Sequence, residues 1–169
     1  QVRDLIAYAL VRRCLPEQES DGPILCDELV VLDAFPHWFE SISGGRGMYP
    51  DLLRIRASLA EDGIIDVHAI LLECKISNDV NRHIQKARSQ VENGLHHLIA
   101  RFMPKPGTSD QAAYRFNGSS PIFRFDQRYW WAQLQRLIAN KAVVETSEME
   151  QATAALESLG EGRFRIQWK

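Results

Sequence analysis

The chain has 169 residues, 45 % hydrophobic and 25 % charged, with a formal net charge of −2. That usage is ordinary for one globular domain. The absence of any run of eighteen apolar residues excludes a spanning helix. So small a charge also excludes a protein that grips DNA strongly by itself, because phosphate neutralisation supplies most nonspecific affinity. Cys14, Cys26 and Cys74 are scattered without CxxC spacing, which argues against a disulfide framework and for a reducing cytoplasm.

The first pattern, Val2 to Leu15, is helical, and a start at Gln1 points to a domain cut from a longer polypeptide. Ile24 to Leu32 fits a strand or a short helix. Phe35 to Phe39 is an apolar turn, and Ser43 to Gly47 a glycine connector that could touch DNA.

Asp51 to Ala60 and Ile64 to Ile76 form the most informative segment, two β-rich runs around Glu61-Asp62-Gly63. A three-residue hairpin loop takes glycine at its last position, where the backbone turns left-handed. If Ala60 and Ile64 close that loop, Leu59 pairs with Ile65, Ala57 with Val67, Ile55 with Ala69 and Leu53 with Leu71. Asp51 then faces Glu73. The opposite face pairs Ser58 with Asp66, Arg56 with His68 and Arg54 with Ile70, a polar surface. A slip of one residue would turn those arginines into the core, so the register is well specified.

Two carboxylates facing each other on neighbouring strands stand roughly 4.5–5.5 Å apart at Cβ and repel without a cation. Lys75, two positions past Glu73, lies on the same face. Two hard oxygen ligands suit Mg²⁺ or Mn²⁺, and a lysine beside such an ion can orient the attacking water and offset charge on phosphorus.

Asp79 to Phe102 is a long helix, with Asn78 or Asp79 as its cap and Pro104 and Pro106 as its stop. Val80, Ile84, Ala87, Val91, Leu95, Leu98 and Phe102 form its expected buried stripe, flanked by His83, Lys86, Gln90 and Gly94. Between Lys75 and Lys105 six basic residues, Arg82, Lys86, Arg88 and Arg101 among them, stand against two acids. That excess fits a weak local DNA contact, or equally a solvated helix face. His96 and His97 project about 100° apart on a helix and make a poor zinc pair.

Tyr114 to Phe125 reads as a second hairpin, and Asp126 as the cap of a helix from Gln127 to Asn140 whose tryptophans belong to the core. A last helix runs from Ser147, its cap, to Leu159 and stops at Gly160. Arg163 to Trp168 then adds a strand. The chain lacks a Walker phosphate loop, so any ATPase motor lies outside it.

Pro50-Asp51, followed twenty-one residues later by Glu73-x-Lys75 and then by a long helix, resembles the signature of the PD-(D/E)xK nuclease superfamily. The resemblance implies an α/β restriction-endonuclease-like core of helix, three-stranded antiparallel meander, helix and strand. That core would occupy about residues 1–105, with C-terminal helices over about 106–169. It implies a metal-dependent endonuclease acting on DNA, with Asp51, Glu73 and the Cys74 carbonyl on the metal and Lys75 serving the water. It also makes Gln90 and Lys86, with Gln85 behind them, candidates on the helix. Arg82 and Arg88 join Lys86 as nucleic-acid contacts. An acid early in the chain often completes such sites, and Asp4, Glu17 and Glu28 are open choices. The aromatic and arginine-rich helix after Gln127 is similar to segments of nuclease domains fused to DNA-translocating ATPases in bacterial defence, so an ATPase partner, and a homodimer, are expected alternatives to self-sufficiency. The competing readings are an inactive nuclease-like scaffold and a structure-specific resolvase or RNase.

Overall fold

The computed structural model describes residues 2–15, 22–39, 49–75, 80–105 and 126–169. Among them the architecture is mixed α/β. In chain order come α1 (Val2–Cys14), β1 (Ile24–Val31), β2 (Leu52–Leu59), β3 (Ile65–Leu72), α2 (Val80–Arg101), α3 (Gln127–Ala139), α4 (Met149–Gly160) and β4 (Phe164–Trp168). The four strands form one sheet in the order β1-β2-β3-β4. β1, β2 and β3 make an antiparallel meander, and β4 returns parallel to β3.

The hairpin register is the one the alternation demands, from Leu52 opposite Leu72 to Leu59 opposite Ile65. The loop closes through hydrogen bonds from Gly63 N to the Ala60 carbonyl and from Ala60 N to the Ile64 carbonyl, with Gly63 at a φ of 77°. Leu53, Ile55, Ala57, Leu59, Ile65, Val67, Ala69 and Leu71 are all buried. They make the sheet's contribution to a core completed by Leu98, Phe102, Trp130, Trp131, Leu134 and Leu159.

The other face of the hairpin departs from the expected polar surface. Arg54 and Arg56 are each only 7 % exposed. The reason lies one strand away. Asp27 on β1 accepts hydrogen bonds from Arg54 Nε at 2.8 Å and Nη2 at 2.7 Å, a forked pairing that satisfies a guanidinium away from water. At the sheet's far edge Arg165 on β4 binds Asp66 and Asp62, tying the parallel strand to the hairpin turn.

The C-terminal helices are anchored by polar side chains as well as by packing. Buried Gln127, at the start of α3, donates from Nε2 to the carbonyls of Arg101 and Met103, and Trp131 donates to Met103 at 2.9 Å. Arg101 lies over the Trp130 ring and Lys105 over Trp131. Ser147 does not cap the last helix. Thr146–Glu148 form a 3-10 turn, and α4 begins at Met149. Asp126 precedes α3 without capping its backbone and accepts instead from Trp130 Nε1 at 3.2 Å. The expected hairpin at Tyr114 to Phe125, the glycine connector at Ser43 to Gly47 and the Asn78 or Asp79 cap lie outside the described residues.

Candidate active site

β2 begins at Leu52 and β3 ends at Leu72, so Asp51 and Glu73 stand just beyond the last pair of the ladder. There the strands are joined by side chains. Asp51 N donates to Glu73 Oε2 at 3.1 Å, and Cys74 N donates to Asp51 Oδ2 at 3.1 Å. Each carboxylate thus replaces a ladder partner for the opposing backbone. Each keeps lone pairs for a further ligand.

Lys75 was expected on the same strand face as Glu73. β3 has already ended at that point, yet the amine reaches the same place: Lys75 Nζ forms an ion pair with Glu73 Oε1. The Glu73 side chain is only 2 % exposed, against 30 % for Lys75. Burial, and secondarily the charge of Asp51, raises the Glu73 carboxyl above its ordinary range, partly offset by the lysine. Two acids and one amine leave a net negative charge. A divalent cation would meet both that charge and the hard oxygen chemistry of the donors. Among the described residues no group of three or more His, Cys, Asp or Glu side chains that could hold a metal ion converges.

The helix behind the site presents the face that sequence periodicity assigned to its flank. Gln90 is 3 % exposed and donates from Nε2 to the Tyr49 carbonyl at 3.2 Å. One turn later the buried Gly94 packs on the Pro50 ring. Of the expected stripe, Leu98 and Phe102 are buried and Val91 and Leu95 half-buried, while Ile84 is 51 % exposed. Near Pro50 the helix meets backbone, and a small residue with an amide donor fits where a large apolar one would not. Gln90 thus holds the segment leading into Asp51, with its Oε1 buried and without a hydrogen-bond partner.

Lys86, Gln85 and Arg88 are exposed, and Arg88 pairs with Glu92 at 3.6 Å. The side chains of Arg82 and Asp4, and all of Glu17, lie outside the described residues. Glu28 is excluded as a further ligand. It sits opposite Ile55, four residues from Asp51 and so about 13 Å along the strand. Arg101 and Lys105, counted in the basic run, are engaged on the tryptophans.

Tyr49 and Phe39 escape sequence reasoning. Their rings stack at 4.2 Å, and Phe39 also stacks with His97 of α2 at 5.4 Å. His97 Nε2 also donates to the Trp38 carbonyl at 2.5 Å.

No family model, curated relative or solved structure matches the chain. No described helix is long and apolar enough to cross a membrane, and the reading of function rests on the site alone.

Proposed function

We propose that this chain is a divalent-metal-dependent deoxyribonuclease with a restriction-endonuclease-like core of the PD-(D/E)xK kind. The observation that carries the reading is the reciprocal bonding of Asp51 and Glu73 across the ends of two strands, with Lys75 on the buried acid. The antiparallel meander between α1 and α2 supports the reading, while the last strand, β4, follows two further helices, α3 and α4, instead of falling within the first 105 residues as expected.

Asp51, Glu73 and the Cys74 carbonyl would hold the cation. When bound, it would supply Lewis-acid stabilisation of a phosphoryl oxygen and lower the pKa of a coordinated water. Lys75, as an ammonium, has three donors and no acceptor. One donor is spent on Glu73. The remaining N–H groups would orient the attacking water and stabilise negative charge on the phosphoryl oxygens. In the reaction a water oxygen bonds to phosphorus as that water gives up one proton to solvent, one ester P–O bond breaks, and the leaving alkoxide takes up a proton from solvent. Gln90 is a positioning residue that acts through the Tyr49 carbonyl. The low net charge suits a module that shares DNA affinity with another domain or subunit, such as an ATPase.

The test is cleavage of plasmid and linear DNA with Mg²⁺ or Mn²⁺. Wild type should cleave and EDTA should stop it. Lys75→Ala and Glu73→Gln should lose at least about 100-fold in rate while keeping the wild-type circular dichroism spectrum. Trace activity that is equal in wild type and Lys75→Ala identifies a scaffold instead.

A further inference from the structure

β1 is an edge strand, and along its outer side runs a cavity of about 730 Å³. Its opposite wall is one stripe of α3, where Tyr129, Gln133, Arg136 and Asn140 recur at helical spacing. Val31 and Phe35 line the end nearest the catalytic acids. Val31 pairs with Leu52, and Leu32 N donates to the Asp51 carbonyl at 2.9 Å. The cavity therefore opens one strand away from Asp51, at the same end of the sheet.

We propose that this groove binds single-stranded DNA and leads it to the Asp51–Glu73 centre. The direction of travel rests on the nuclease reading; the binding does not. Three features select the ligand. First, the aromatic residues of α3 divide: Trp130 and Trp131 enter the core, while Tyr129 is left 46 % exposed in the groove, with Phe35 across from it. Bases of any identity stack on such rings. Second, Arg136 is exposed and takes part in no ion pair among the described residues. Lys141 stands 4.0 Å from Glu28, the one acid of the lining. Arginine and lysine beside the Gln133 and Asn140 amides make a donor-rich wall for phosphates. Third, the strand edge is already engaged. Val143 N donates to the Leu25 carbonyl at 3.0 Å, and Tyr8 Oη to the Leu29 carbonyl at 3.5 Å. That engagement disfavours a peptide adding as a further strand, which would need those backbone groups. The cavity is bounded by β1, by α3 and by Tyr8 of α1, and a single nucleic-acid strand is the occupant its stacking ring and its cations fit.

The experiment is fluorescence anisotropy with a labelled oligothymidylate in EDTA, so that no cleavage intervenes, alongside a duplex and an oligouridylate of equal length. Wild type should bind oligothymidylate more tightly than either competitor, with affinity falling as salt rises. Tyr129→Ala and Arg136→Glu should each weaken binding about fivefold or more. Both residues are exposed, so the fold should persist. Arg163→Glu, on an exposed residue paired with Glu161, should bind as wild type does. Equal affinity in wild type, Tyr129→Ala and Arg136→Glu overturns the inference, and so does preference for duplex or RNA. Binding that responds to these changes without any metal-dependent cleavage leaves the groove standing and removes the nuclease reading. Cleavage with a KM for single strands unaffected by either change does the reverse.

Discussion

Gly94 of α2 lies so close to Pro50 that a Cβ on the glycine would stand 2.3 Å from proline Cδ and 2.9 Å from Cγ. Helix and the segment leading into Asp51 are therefore in contact at the residue before it. Gly94→Ala must push the two apart, because neither a proline ring nor a helix backbone yields by so much. Overpacking of this kind costs about 1–3 kcal/mol. The expected outcome is a lower urea midpoint and a loss of cleavage greater than the loss of folded protein accounts for. As a comparison, Gly63→Ala meets no atom within 4 Å and suffers only the strain of a φ of +77°. It should destabilise by about 1 kcal/mol and leave cleavage intact.

Gln90→Leu keeps the bulk at the same position and removes the donor to the Tyr49 carbonyl. It also removes Oε1, which has no partner, so the change in stability should be about 1 kcal/mol or less. The effect should appear in kcat, with KM nearly unchanged, if the glutamine positions Asp51. Steady-state kinetics on linear DNA separate the two parameters.

The hairpin was legible because its two faces differ so sharply. Leu53, Ile55, Ala57 and Leu59 alternate with charged and polar residues, and only one register hides them all. Lys75 and the facing acids followed from that register. What alternation could not convey is the burial of Arg54, which depends on Asp27 in another strand. Nor could the apolar stripe of α2 reveal that Gln90 and Gly94 face inward. Periodicity finds where oil-like side chains go, and this part of the helix packs on backbone and on a proline ring. The groove along β1 was equally hidden, since it needs residues of β1 and α3 that are far apart in sequence.

Burial and the neighbouring Asp51 charge raise the Glu73 carboxyl from its ordinary value of 4.5. Between 4.5 and the raised value the folded state holds more protons than the unfolded state, so stability is fully present below about 4.5 and is lost as pH rises through the folded pKa. In EDTA the melting temperature of wild type should fall across that window. Glu73→Gln should show a flatter profile and a higher melting temperature at neutral pH. A saturating divalent cation should restore the wild-type protein, and its affinity should rise as Glu73 loses its proton.

The sharing of one cation by two acids is tested most directly by an anomalous difference map from crystals soaked in Mn²⁺. The account predicts a peak within coordination distance of an oxygen of Asp51 and an oxygen of Glu73, with Lys75 Nζ beside its water shell. A peak on neither carboxylate, in crystals where Mn²⁺ is bound elsewhere or not at all, would contradict it.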